Sequence, residues 1–271
     1  MTIYWVFATI LLLITFAPET RAEEYSDALI VDPDLLPATQ PYATPVSCPE
    51  TQLAPFTARY SVYRNGKLLG NSEAQLKKSG DRWAYQVTTE ADRGLAGFLG
   101  GKIAEKTEFQ VDSSGALQSL FYEYQQGIRF SRREGKAYFD WDRLEVQGVH
   151  KKKDFQLPLV EGQTDRMLLN LKLMRKLAQG QQEFAFDTVE RGKVDRLGFI
   201  RSSEQALVDT PEGRLAAVVV SRTHRNPKRH TRSWHAPDLG YVPVRMEQIN
   251  DDDNETLEMH LTSWQSQPCE I

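Results

Sequence analysis

From Phe56 onward the chain alternates apolar and polar residues with a period of two, and this constrains its fold more than any other feature. Phe56, Ala58, Tyr60 and Val62 alternate with Thr57, Arg59, Ser61 and Tyr63, the pattern of a strand with one buried face. Asn65-Gly66 follows at once. Both central residues of a type I′ turn need positive φ, so this dipeptide predicts a tight hairpin into a partner strand at 68–78. Ser79-Gly80-Asp81 turns the chain again into a strand at 83–89. The same logic predicts strands at 103–111, 117–125, 136–141 and 144–150. A second series is predicted at 183–186, 194–200, 205–208, 215–223, 231–235, 241–249 and 256–264. Short strands joined by tight turns make an antiparallel meander, not βαβ units. A sheet of this many strands must curl or close. The expected fold is therefore mostly β: a strongly curved antiparallel sheet, or a partly closed barrel or roll.

One segment departs from the period of two. Residues 165–180 read DRMLLNLKLMRKLAQG. Thr164 or Asp165 can cap a helix here, Met167, Leu171, Met174 and Ala178 share a face, and Gly180 can end it. Lys172, Arg175 and Lys176 sit late, where they complement the helix dipole. The spacing predicts one apolar helix over about 165–179, packed into the concave side of the sheet.

The first residues carry a different message. Ile3 to Phe16 is an uncharged apolar run of fourteen residues, short of the roughly 20 needed to span a bilayer. It fits the core of a signal peptide, with Thr20 and Ala22 placed for cleavage before Glu23. The segment before the run holds no Lys or Arg, so an uncleaved N-terminal anchor is the alternative. Residues 23–54 carry five prolines and several acidic residues and read as an extended arm. Residues 55–271 read as one β-rich domain. No other stretch is apolar enough for a membrane helix, and the mean hydropathy is −0.50. The expectation is a periplasmic protein that is not integral to the membrane after cleavage.

Cys48 and Cys269 lie near the two ends of the chain left after cleavage. In an oxidising compartment such a pair reads as a disulfide. Closing so long a loop is worth roughly 4–5 kcal/mol in the chain-entropy model. The redox alternative lacks C-x-x-C spacing. The formal net charge of −4 argues against a nucleic-acid partner, which calls for a strongly basic domain.

Three stretches are candidates for ligand contact, each with a plainer reading. In the glycine-rich segment 94–101, Leu95, Phe98 and Leu99 can cover a cavity or touch a lipid, or the segment is only a strand connection. It does not match a phosphate-binding loop. Arg222, Arg225, Arg229 and Arg232, with His224, Lys228 and His230, cluster at a hairpin centred on Asn226-Pro227. Such density can hold phosphate or carboxylate groups, or it is a solvated tip that keeps an edge from aggregating. Lys151, Lys152 and Lys153, with Arg132 and Arg133, form a second basic cluster with the same two readings. The five histidines show no zinc spacing. Asp251 to Glu255 lacks the spacing of a calcium loop, and no Gly-x-Ser-x-Gly occurs. No metal, cofactor or catalytic residue is called for.

Taken together, Phe56 to Tyr63, Gly66 and Gly70, the glycine-rich stretch after Asp92, Asp165 and Arg175 on the helix, and Ala236 to Arg245 make the chain resemble a family of bacterial exported proteins, domain of unknown function 3108. The resemblance covers roughly residues 50–265. It implies a curved, mostly β fold and export, and it implies no activity. The leading expectation is a non-enzymatic periplasmic protein that holds an apolar or amphipathic envelope component, such as a lipid, in its concavity. The alternatives are a scaffold that binds a protein or cell-wall partner through the basic hairpin, and a hydrolase without a recognisable motif.

Overall fold

The computed structural model describes residues 53–91, 101–128 and 131–266. The segment read as a signal peptide, nearly all of the proline-rich arm, Cys48 and Cys269 with the disulfide expected between them, and Leu95, Phe98 and Leu99 lie outside the described residues.

Fifteen strands form one sheet. In chain order they are β1 (Phe56–Arg64), β2 (Lys67–Ser79), β3 (Arg82–Ala91), β4 (Lys102–Val111), β5 (Leu117–Ile128), β6 (Ser131–Asp140), β7 (Glu145–His150), β8 (Lys153–Pro158), β9 (Thr164–Asp165), β10 (Glu183–Glu190), β11 (Lys193–Thr210), β12 (Gly213–Thr223), β13 (Arg229–Ala236), β14 (Val242–Asn250) and β15 (Glu255–Ser266). The helix α1 (Leu168–Ala178) sits between β9 and β10. Sequence neighbours pair antiparallel, except that β9 runs parallel to β10 and that β8 and β9 do not pair. The described chain begins and ends in mid-sheet, where β1 pairs with both β2 and β15. One meander runs out from there to β8, the other to β9.

The order of the strands requires strong curvature. Laid flat, fifteen strands at about 4.8 Å spacing would span roughly 65 Å. Yet β8 and β9, at opposite edges, are joined only by residues 159–163, a reach of about 20 Å at full extension. The edges must therefore curl towards each other. They approach through side chains and not through a ladder: the Phe155 ring of β8 lies where a Cβ on Gly192, in the β10–β11 turn, would come within 3.1 Å of it. The sheet is thus curved and unclosed.

Most strands fall where the period of two places them, and Asn65 and Gly66 both take positive φ, 48° and 71°. Sequence reading missed β8, whose first residue is part of a lysine run, and the two-residue β9. It also split β11, because a register shift between Arg201 and Gln205 interrupts the alternation. The helix is shorter than 165–179: residues 165–167 form its entry, and Asp165 Oδ1 accepts hydrogen bonds from the Met167 and Leu168 amides at 2.7 and 2.9 Å.

Gly70 shows why a glycine is needed in mid-strand. A Cβ there would sit 2.0 Å from the Glu90 carbonyl oxygen and 2.8 Å from the Ala91 Cα. Gly70 lies beside the register shift between Val62 and Tyr63 that brings β1 and β2 into step. Gly70→Ala must push β2 from β3, and the expected loss is about 1–3 kcal/mol of stability. Chemical denaturation of the variant checks this; an unchanged midpoint would show that β3 yields freely.

Candidate functional site

Just before the helix, two consecutive residues tie opposite sides of the sheet together. Asp165 ends β9, which pairs with β10, but its carboxylate reaches β4 and β5. Oδ2 accepts from the Thr107 and Ser119 hydroxyls, each at 2.6 Å, and the Asp165 amide donates back to the Ser119 oxygen at 3.0 Å. Asp165 and Thr107 are fully buried. Arg166 is also buried and donates to Glu105 of β4 at 3.0 Å and to Glu190 of β10 at 3.2 Å. Tyr122 donates to the other Glu105 oxygen at 2.9 Å. Burial raises the pKa of Glu105, against the pull of Arg166. Burial likewise raises that of Asp165, against its four donors. These groups form a polar strut across the interior.

Arg166 lines a cavity on each side of the strut. The larger has about 1270 Å³ of empty space including its mouth. Its wall is mainly apolar. Leu169, Leu173 and Met174 come from the helix, Phe199 from β11, and Met246 and Met259 from β14 and β15. The helix is in the concavity, as expected, but does not fill it. Leu169, Leu173 and Leu177 also pack with Phe186, Leu197 and Val220 in a second core.

A few polar groups punctuate that wall. Ser72 and Thr89 bond to each other at 2.9 Å, and the Tyr60 hydroxyl is held well above its usual pKa by burial. His235 is buried, with Nδ1 2.8 Å from the Tyr241 carbonyl and Nε2 2.8 Å from the Ser233 hydroxyl. A carbonyl only accepts, so Nδ1 carries the proton and Nε2 accepts from Ser233. Burial pulls the His235 pKa down to about 4, so the ring is neutral at pH 7.

Arg222 is one of three arginines in this wall, with Arg166 and Arg232. It extends from β12 opposite Phe199, and burial draws its guanidinium down to about 10. Among the described residues no carboxylate lies within ion-pair distance of it, and its buried Nε has no hydrogen-bond partner. The structure thus separates the four arginines that the sequence groups together. Arg222 faces the interior. Arg225 is exposed and Arg229 half-buried near the hairpin tip. Arg232 touches the cavity wall, but its guanidinium bonds Glu247 at 2.8 Å and lies 5.7 Å from the Trp234 ring. Alternation puts Arg232, which pairs with Ser221, on the other face from Arg222, and Arg225 lies in the turn between β12 and β13.

Sequence reading did not single out Glu105, Arg166 or Glu190. The available signal was an Asp-Arg pair directly before the apolar helix, whose charge has no obvious place in a core. Among the described residues there is no group of three His, Cys, Asp or Glu side chains that could hold a metal, and no helix is long and apolar enough to cross a membrane.

One curved β-sheet, unclosed, with a helix in its concavity and a polar strut dividing the interior, defines a barrel-like β protein with internal cavities. The family model described as protein of unknown function (DUF3108) matches residues 59–262, and the chain belongs to that family. No curated protein matches it. A β-barrel-like protein of domain of unknown function DUF1849 from Brucella abortus is similar in structure. The likeness covers 80% of this chain and 100% of that one at 11% identity, with a TM-score of 0.53. It supports the fold alone. Two others align over most of their length with a TM-score of 0.29 each: a protein assigned as a lipoprotein from Parabacteroides distasonis, and one assigned as exported, with a YmcC-like fold, from Bacteroides fragilis. Their identities are 11% and 12%. They cover 79% and 78% of this chain, and 96% and 95% of their own.

Proposed function

We propose that the protein is exported to the bacterial envelope and there binds an amphipathic ligand, an apolar chain with an anionic head, in the larger cavity. The observation that carries this reading is Arg222, a cation on a mainly apolar wall with no ion-pair partner among the described residues. A buried charge is costly unless paired, and an anionic head supplies the missing partner. The apolar side chains of the helix, β11, β14 and β15 fit the rest of such a ligand. Export rests on the apolar segment Ile3–Phe16 and the residues after it.

Native mass spectrometry of the purified protein should show a retained lipid, and the delipidated protein should bind a fluorescent fatty acid. Arg222→Gln is expected to weaken that binding about tenfold, the scale of one charge-assisted hydrogen bond. Met174→Trp should lower the amount bound by filling the cavity. A clean mass together with no fatty-acid binding at micromolar concentration would sink the proposal.

A further inference from the structure

The smaller cavity, on the far side of Arg166, has a different chemistry. It holds about 770 Å³ including its mouth. Its wall combines the cations Arg133, Lys136, Lys151 and Arg191 with the aromatic rings of Tyr124 and Phe155. The cations come from separate parts of the chain: Arg133 and Lys136 from β6, Lys151 from the β7–β8 turn, and Arg191 from the β10–β11 turn. They converge because the curling sheet brings β6 to β8 against β10, the approach marked by Phe155 and Gly192. The carboxylates of the same wall are Glu134 and Glu190, and Glu190 is already engaged by Arg166 at 3.2 Å and by Arg191 at 3.2 Å. Lys136 bonds Glu123, outside the cavity wall, at 3.1 Å. Counting Arg166, five cations and two carboxylates line this wall, and Glu105 and Glu123 from beyond it pair with Arg166 and Lys136.

Two further observations mark the mouth. His150 lies in the same wall, and its pKa is lowered first by burial and then by Arg191 and Lys151, with Glu190 acting the other way. Lys151 and Arg191 both hold the left-handed backbone, with φ of 51° and 56°. That conformation costs an ordinary residue about 1–2 kcal/mol, and glycine or asparagine adopts it more easily. Each turn thus places a long cation where a smaller residue would be less strained.

We propose that the smaller cavity is a second ligand site, for a phosphate-bearing molecule whose charged groups meet Arg133, Lys151 and Arg191 and whose ring or apolar part lies against Tyr124 and Phe155. Guanidinium groups match phosphate oxygens in pairs, and aromatic faces accept flat rings. The site does not depend on what fills the larger cavity. Such a phosphate can belong to a lipid head group or to a soluble molecule.

The test uses pyrophosphate as the probe, with calorimetry on the purified protein. One pyrophosphate should bind per chain, with affinity that falls as salt is raised. Arg191→Asn and Lys151→Asn remove a cation and keep a residue that tolerates the left-handed backbone. Each is expected to weaken binding about tenfold, and Arg133→Gln serves as a third variant away from the turns. Arg222→Gln should leave pyrophosphate affinity unchanged. Retention on phosphatidylglycerol vesicles but not on phosphatidylcholine vesicles, with pyrophosphate competing, would support the site and assign a lipid head group. Pyrophosphate binding without vesicle retention would support the site and assign a soluble phosphate. No binding at millimolar pyrophosphate would overturn the proposal. So would binding that survives the Arg191→Asn, Lys151→Asn double variant, or binding that is lost only in Arg222→Gln.

Discussion

Asp165→Ala is expected to lower the unfolding free energy by about 3–5 kcal/mol, the scale for stripping a partner from a buried polar network. Four donors converge on this carboxylate, two hydroxyls from β4 and β5 and two amides from the start of the helix. Removing it leaves all four without their acceptor at a fully buried position. It also uncouples the helix entry from the opposite side of the sheet. Asp165→Asn should lose less, because its carbonyl oxygen can still accept from the two amides and the hydroxyls can turn to accept from its NH₂ group. Urea denaturation of both variants checks this. A loss below about 1 kcal/mol for the alanine variant, the net worth of a single ordinary hydrogen bond, would mean that the strut does not hold the two sides together.

His235 gives the second large effect, through pH. Its pKa falls from 6.5 to about 4 on folding, because burial disfavours the imidazolium. A group depressed in the folded state contributes stability above its unfolded pKa and loses it as the pH falls towards the folded one. The contribution should therefore be complete above about pH 6.5 and lost between there and pH 4. The full change is on the order of 3 kcal/mol. His224, also drawn down to about 4 by burial and by Arg222, acts in the same direction. Glu105 and Asp165, both raised, act in the opposite one, so the stability of the whole protein does not isolate the histidine. The difference in unfolding free energy between the natural protein and His235→Gln does. It should be largest near pH 7 and shrink as the pH falls to 4. A difference that stays flat with pH would show that the ring is not held neutral by burial.

Much of the fold was legible because it rests on local rules. Asn65-Gly66 set a hairpin, the period of two set the strands around it, and the leucine spacing after Asp165 set a helix. Segments whose structure depends on distant partners were not legible. The β8 strand begins in a lysine run and becomes a strand because β7 lies beside it, with Phe155 packed near Gly148 and Gly192. The two residues of β9 are a strand only because β10 runs parallel to them. The candidate sites divide in the same way. Arg222 was one of seven basic side chains around a hairpin, and nothing in the sequence distinguished it as the one that lines the cavity with no ion-pair partner among the described residues. The two cations at Lys151 and Arg191 are 40 residues apart in sequence and meet only across the seam of the sheet.

The sequence by itself determined a mostly β chain with one apolar helix and a tight hairpin at Asn65-Gly66. Side-chain alternation, turn chemistry and helical spacing each act within about ten residues, so they can be read without coordinates. Only the tertiary structure decided how far the sheet curls, that its edges meet without pairing, and that Arg166 bridges Glu105 and Glu190 between two cavities. Those outcomes depend on contacts between residues 61 and 24 positions from Arg166. The energy of burying such charges is settled by the partners that the fold brings to them, and no local pattern encodes those partners.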